Sequence, residues 1–315
     1  MSNQSSSRTG TTVEALTDGL ALRPDPRGGR TGPALTHLFP SVPVLARTRL
    51  LAPGQRSAWC SSTSDTLLFF HTGEPLRLSL REPAGDASTV VLGADPSYST
   101  PQWLVPAGTG FALAPESGGF ALWSQASMPG GAEPAAQAQP LAPLPDHQPG
   151  RKPGPEGSLA AGFDLERHIE GGYFRQTYES GAFVKTPRGD RPVANSIIYL
   201  LDQASPVGHL HSNVPDITHF LHSGGPIRYR MLAPDGVVHE QVLGFDVAAG
   251  EVPVLTCPGG WWKTSMLPPG VGHGLISEVV APGFRYEDQE LLTLERLTAL
   301  FPDRVRELAP YVSRH

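Results

Sequence analysis

Short runs of alternating apolar and polar residues recur along the chain. Pro75-Leu-Arg-Leu-Ser-Leu80 and Ile227-Arg-Tyr-Arg-Met-Leu232 are the clearest, and Pro-x-Gly turns punctuate them. A period of two sends successive side chains to opposite faces of a strand, so these runs predict half-buried strands in antiparallel sheets. Helical spacing is confined to one stretch, Glu290 to Leu300, where Leu291, Leu294, Leu297 and Leu300 form a packing face and Pro302-Asp303 restarts a second short helix. The pattern predicts an all-β molecule of antiparallel sandwiches or barrels with short C-terminal helices.

The pattern also repeats. Leu16-Thr-Asp-Gly-Leu-Ala-Leu22 corresponds to Leu159-Ala-Ala-Gly-Phe-Asp-Leu165, and Asp25-Pro-Arg-Gly-Gly29 to His168-Ile-Glu-Gly-Gly172, at an offset of 143. Further on, Cys60-(x)4-Asp65-(x)7-Gly73 matches His211-(x)4-Asp216-(x)7-Gly224 at an offset of 151, and His71 to Arg77 matches His222 to Arg228. Matched blocks in one order predict a tandem duplication. The expected organisation is a disordered tail over 1–12, a first barrel over 13–130, a Pro/Ala/Gly-rich linker over 131–157 and a second barrel with C-terminal helices over 158–315.

Composition narrows the function classes. With 315 residues the chain is long enough for about two domains. Apolar residues at 39% and charged residues at 17% describe a soluble globular protein, and 33 Pro and 35 Gly favour short strands and turns. A net charge of −6 without a basic stripe argues against nucleic acid as a partner. No run reaches the length of a membrane span, and the polar start lacks the apolar core of a secretion signal, so a cytoplasmic protein acting on a small molecule is expected. Cys60 and Cys257 make no disulfide framework, and nothing beside Cys60 marks it as a nucleophile.

The candidate chemistry centres on Gly208-His-Leu-His-Ser-Asn-Val-Pro-Asp216. Residues two apart share a strand face, so His209 and His211 are expected to point together, and Pro215 forces a turn that returns Asp216 towards them. Two imidazoles and a carboxylate suit one divalent metal (Fe, Mn, Ni or Zn) or, without metal, a base oriented by an acid. Neighbouring histidines on a half-buried strand also occur simply as packing residues. Arg228 and Arg230 share a face as a clamp for a carboxylate or phosphate would, although Arg77 repeats Arg228 and suggests a structural ion pair. Trp261, Trp262, Tyr173 and Tyr199 are candidates for a pocket lining or for the core. His71 and His222 recur before a turn glycine in both copies, which suggests a local structural role.

The spacing H-x-H-(x)4-D-(x)7-G resembles the first motif of the cupin superfamily, with Asp where Glu is more usual. His168-Ile-Glu-Gly-Gly-Tyr-Phe-Arg175, Ile197 to Leu201, Leu243-Gly-Phe-Asp246 and Val280 to Phe284 together resemble a cupin group with an H-P-E-G-G-Y-F opening. That group is mostly of unassigned activity, and its barrels are similar to those of keto-deoxysugar epimerases. The resemblance covers residues 158–290 well and 15–130 in weakened form. It implies a bicupin of two jelly-roll or double-stranded β-helix barrels, with Glu170, His211 and Asp216 inside the second. The chain departs from the pattern at Pro215, Thr218 and the extra His209. The second cupin motif, P-x-G-x-x-H, is matched literally by Pro268 to His273, but Pro258-Gly-Gly-Trp-Trp-Lys263 is the stretch aligned with the internal repeat, and it ends in Lys.

Comparison of the copies places the chemistry in the second. Arg27 and Cys60 stand where Glu170 and His211 do, and only Asp65 survives to match Asp216. The resemblance implies an isomerase or epimerase, or a related lyase or cyclase, acting next to a carbonyl, with secondary metabolism as a setting. In that reading His211 abstracts the proton, Asp216 orients it, and Glu170 or Tyr173 handles a second proton. Arg228, Arg230, Lys263, Trp262 and Tyr199 would hold substrate, with Lys263 stabilising an enolate. A metal-dependent oxygenase using His209, His211 and Asp216 and a non-enzymatic ligand-binding bicupin are the alternatives. The two barrels are expected to pair as a pseudo-dimer, and a homodimer is left open.

Overall fold

The computed structural model describes residues 11–36, 44–128, 135–136 and 158–313. The expected tail over 1–12 therefore lies almost wholly outside the described residues. So does the expected linker, except for Ala135–Ala136, which pairs as a short strand with Cys60–Ser61.

Two large sheets build each copy, with the strand order the same in both, and the second copy adds a two-stranded sheet of Phe183–Thr186 and Gly189–Pro192. In the first copy, one sheet runs in the order Arg23–Pro24, Arg30–Thr31, Leu45–Leu51, Ala121–Met128, Asp65–Gly73 and Gln102–Val105. In the second, Glu166–Arg167, Tyr173–Glu179, Asn195–Asp202, His273–Ala281, Asp216–Gly224 and Val254–Cys257 take the same places. The facing sheet of the first copy holds Gly110–Pro115 between Cys60–Ser61 and Leu76–Arg81; that of the second holds Trp262–Met266 between Val207–Asn213 and Ile227–Leu232. These pairings are antiparallel, as the alternating runs predict.

Equal topology makes the copies comparable position by position through their ladders. Leu68 lies opposite Gln125 in the first copy and His219 opposite Glu278 in the second. Phe111 lies opposite Cys60, and Lys263 opposite His211. The interior of the first barrel is filled by Leu68, Phe70, Leu78, Phe111 and Trp123. Polar residues take over several of those positions in the second.

The barrels meet along the Asp65–Gly73 and Asp216–Gly224 strands. Phe69 and Phe220 stack there with centroids 4.1 Å apart, both fully buried. His71 donates through Nδ1 to the Leu221 carbonyl at 2.6 Å, and His222 makes the reciprocal bond to Phe70. The recurrence of these histidines thus reflects a bridge between barrels rather than a local turn role. The N-terminal segments cross over as well: Gly19, at the end of the helix Val13–Gly19, rests on Val247 of the second copy, and Gly162, at the end of Leu159–Gly162, rests on Pro96 of the first.

The C-terminal leucines behave differently from their spacing. Gln289–Leu291 is a strand paired with His211 to Asn213, and the helix begins only at Leu294, where the Thr293 hydroxyl accepts the Arg296 amide. The rest of that helix, Leu294–Leu300, buries Leu297 against Leu210, Trp262 and Leu308, while Leu294 and Leu300 face solvent.

Candidate active site

A tight turn delivers the first candidate carboxyl. Gly171 and Gly172 have φ of 95° and 71°, a region that L side chains rarely adopt, and a side chain on Gly171 would strike the Val207 carbonyl. Their freedom lets the turn lie against the strand Val207–Asn213, where the His209 amide donates to the Glu170 carbonyl at 2.6 Å. Tyr199 fixes the turn from the other side, its hydroxyl donating to the Gly171 carbonyl at 2.8 Å. Glu170 is thereby set beside His211, with Oε2 3.2 Å from Nε2.

The protons of this pair follow from its neighbours. His211 Nδ1 lies 2.7 Å from the His209 carbonyl, which can only accept, so Nδ1 carries the proton and Nε2 offers a lone pair to Glu170. Burial pushes the Glu170 carboxyl up to about 8, against the pull of Lys263. Burial and the Lys263 charge both push His211 well below the ordinary imidazole value. At neutral pH the pair therefore holds one proton and no net charge. The Gln289 amide donates to the second Glu170 oxygen, and His168 Nδ1 accepts the Glu170 amide at 3.3 Å while standing 3.5 Å from Oε2.

A second polar group stands beside it. His219 is fully buried, and its Nδ1 faces the Leu255 carbonyl at 3.1 Å, so Nε2 is free to accept. Lys263 Nζ, a donor only, lies 2.7 Å from that nitrogen and 3.6 Å from Glu278 Oε1. Burial alone would raise the Glu278 carboxyl, but the Lys263 ammonium overcomes it and holds the group far below the usual carboxylate range. Two carboxyls whose surroundings drive them in opposite directions are the arrangement by which one site obtains an acid and a permanent anion at one pH.

Glu170, His168, His211, Tyr199 and Glu278 line one cavity of about 90 Å³, whose remaining wall mixes aromatic and aliphatic side chains with the amides of Gln176, Asn195, Asn213 and Gln289. Of the residues singled out in the sequence, Glu170, His211 and Tyr199 are brought together there. Several others are not. A register shift between Gly208 and His211 interrupts the ladder, so the expected shared face of His209 and His211 is lost, and only His211 lines the cavity. Asp216 opens the next strand and accepts the Gly259 amide at 2.7 Å. The structure thus does not bring His209, His211 and Asp216 together as metal ligands, and among the described residues no three His, Cys, Asp or Glu side chains form a group suited to a metal ion.

Strand parity accounts for further corrections. Phe174 and Gln176 face the cavity, so Tyr173 faces outward, packing near Phe163 beneath the Arg167 guanidinium. Trp262 likewise points out, into the cluster around Leu297, while its neighbour Lys263 points in without reaching the cavity wall. Arg228 and Arg230 line a separate outer cavity of about 350 Å³, where Arg230 pairs with Glu240 at 2.7 Å and lies over Tyr311. His273 bonds Ser223 at 3.0 Å, away from the cavity.

His168, His219, Glu278 and Gln289 were missed as functional candidates. The signal for two of them lay in the duplication: His219, Lys263 and Glu278 replace Leu68, Phe111 and Gln125. In the first barrel Asp25, between Arg49 at 2.7 Å and Arg27 at 2.8 Å, occupies the place of His168. Burial raises the Cys60 thiol above its ordinary value despite these arginines, which removes the thiolate a nucleophile would need.

The sequence profile of the family described as Cupin superfamily (DUF985) matches residues 48–132 and 158–292, more than half of the chain. The chain belongs to the cupin superfamily. It is 38% identical over 165 residues to the uncharacterized protein YML079W of Saccharomyces cerevisiae, a match spanning 47% of this chain and 81% of that one. A hypothetical protein from Leishmania major is 27% identical, with a TM-score of 0.47, over 49% of this chain and 97% of its own. The oxalate decarboxylase of Lactobacillus farciminis matches 91% of this chain and 93% of its own with a TM-score of 0.53 at 13% identity. That last likeness establishes the shared two-barrel cupin fold, and at such identity it speaks to the fold alone. Among the described residues no helix of this cupin is long and apolar enough to cross a membrane.

Proposed function

We propose that the second barrel catalyses proton transfer next to the carbonyl of a small uncharged metabolite, a reaction of the isomerase or epimerase type. The observation that carries this reading is the 3.2 Å contact of Glu170 with His211 inside a cavity; burial, which raises the carboxyl and lowers the imidazole, supports placing one proton on the pair. A substrate carbonyl replaces His211 as acceptor of the Glu170 proton. His211 Nε2, released, takes the proton from the adjacent carbon. The C–H electron pair becomes the double bond of an enol while the carbonyl oxygen gains the Glu170 proton. Glu170 is left a carboxylate and His211 an imidazolium, so the pair stays neutral overall and avoids burying a net charge. Return of the proton to the same or the neighbouring carbon completes the exchange.

The orienting role expected of Asp216 passes to the His209 carbonyl, which fixes the His211 tautomer. The preference for an uncharged substrate rests on the wall: the described lining residues include no Arg or Lys, and Glu278 is held ionised there. An incoming anion would find no cationic side chain in that wall to pair with.

Exchange of carbon-bound protons in D2O, followed by NMR across a panel of neutral sugars and ketones, tests this without knowledge of the product. Exchange that falls by roughly 100-fold in His211→Ala is the expected result, the size of a general-base contribution. Exchange that persists at the wild-type rate in that folded variant would sink the reading.

A further inference from the structure

We propose that the Lys263 ammonium is a built-in cation that occupies the donor centre of the second barrel, where His219 and Glu278 would otherwise be free to hold a metal ion. The inference rests on the donor set and is independent of the reaction proposed above. His219 Nε2 and Glu278 Oε1 converge from neighbouring positions of one ladder, and an imidazole nitrogen with a carboxylate oxygen is a metal-ligand pair. The group found between them is Nζ of Lys263, 2.7 Å from the nitrogen and 3.6 Å from the oxygen. Lys263 is only 4% exposed, so its charge persists there because Glu278 neutralises it and His219 accepts one of its three hydrogens. A divalent ion bound to the same atoms, at about 2.0–2.2 Å from each, would lie within contact distance of the ammonium. Two cations cannot share the place.

The second copy's partner supports treating the three as a unit. In the first barrel Lys263 is answered by Phe111, His219 by Leu68 and Glu278 by Gln125. Losing the ammonium alone would leave a buried carboxylate unpaired, and losing the carboxylate alone would leave a buried ammonium unpaired. Both charges are absent together, and so is the acceptor between them.

The inference predicts that removing the ammonium and supplying a third ligand creates a metal site. Co2+ titration of the full-length protein, followed by its visible ligand-field absorption, reads this directly. Lys263→His should bind about one Co2+ per chain at least ~100-fold more tightly than wild type, the scale on which changes to a ligand set act. Adding Glu278→Gln should abolish that gain. Lys263→Cys is the second variant should Lys263→His fail to fold, read by the near-ultraviolet thiolate-to-cobalt band. The proposal is overturned if wild type itself binds Co2+ within threefold of Lys263→His and loses it on Glu278→Gln, because the metal and not the ammonium would then own the centre. It is equally overturned if folded ligand-bearing variants gain no affinity, because His219 and Glu278 would then form no donor centre.

Discussion

His71 and His222 are the same residue of the two repeats, and each donates its Nδ1 proton into the other barrel while its Nε2 accepts from a serine of its own, Ser124 at 2.7 Å and Ser277 at 2.7 Å. Both imidazoles must be neutral for this pattern, and burial lowers them to about 4 and about 3. Their folded values lie below the ordinary 6.5, so between those limits the unfolded chain binds protons that the folded chain refuses. Stability is full above pH 6.5 and falls as the pH drops towards 4, by roughly 1.4 kcal/mol per pH unit for each histidine. Urea unfolding at pH 7, 5.5 and 4.5 measures the slope. His71→Gln should flatten it, and an unaltered slope would assign the acid sensitivity elsewhere.

The Phe69–Phe220 stack makes a second prediction about the seam. Truncating either fully buried ring to Ala should cost about 3–5 kcal/mol, as large-to-small changes in a core do. The double variant should lose less than the sum, by about 0.5–1.5 kcal/mol, the coupling typical of an aromatic pair. Additive losses in denaturant unfolding would show that the rings act separately.

Glu170 sets the alkaline limit of any proton-transfer activity. Its carboxyl is raised to about 8, so it is an acid below that pH and surrenders its proton above it. Carbon-proton exchange should therefore decline as pH rises through about 8. In Glu170→Gln the residual rate should lose this limb. An identical alkaline limb in that variant would place the titrating group elsewhere.

The asymmetry of the copies predicts where variants are silent. Cys60→Ala removes a thiol that burial keeps protonated, and Arg27→Ala leaves Asp25 still bonded to Arg49. Both should leave exchange within a few-fold of wild type, against the roughly 100-fold loss in His211→Ala. Circular dichroism controls for folding. A well-folded Cys60→Ala without activity, beside an unharmed His211→Ala, would move the site to the first barrel.

The strands and the duplication were legible because both are written in local order. Alternation along Ile227–Leu232 and the paired turn glycines need no tertiary information. Glu170 and His211 were legible as residues, but not as a contact, since the turn at Gly171 and Gly172 closes 41 positions of sequence. His209 misled because strand parity assumes an unbroken ladder, and the register shift after Gly208 breaks it; Asp216 misled because the chain after Pro215 opens a new strand on which its carboxylate accepts the Gly259 amide instead. Glu278 and His219 carry no spacing signature: they face each other across two strands 59 residues apart, a relation set by register alone. The C-terminal leucines failed for a related reason, because Gln289–Leu291 finds a strand partner that outweighs its helical spacing.

The crossed N-terminal helices have a consequence for how such a chain can change. When two identical subunits pair, every substitution is made twice, once on each side of the axis, and must be tolerated in both settings. Here Gly19 meets Val247 while its counterpart Gly162 meets Pro96, so the two sides of one contact are already written in different letters. A single gene that encodes both halves lets one half be retuned without disturbing the other. Cys60 and Arg27 stand in one half where His211 and Glu170 stand in the other, a difference that a symmetric assembly of identical subunits could not hold.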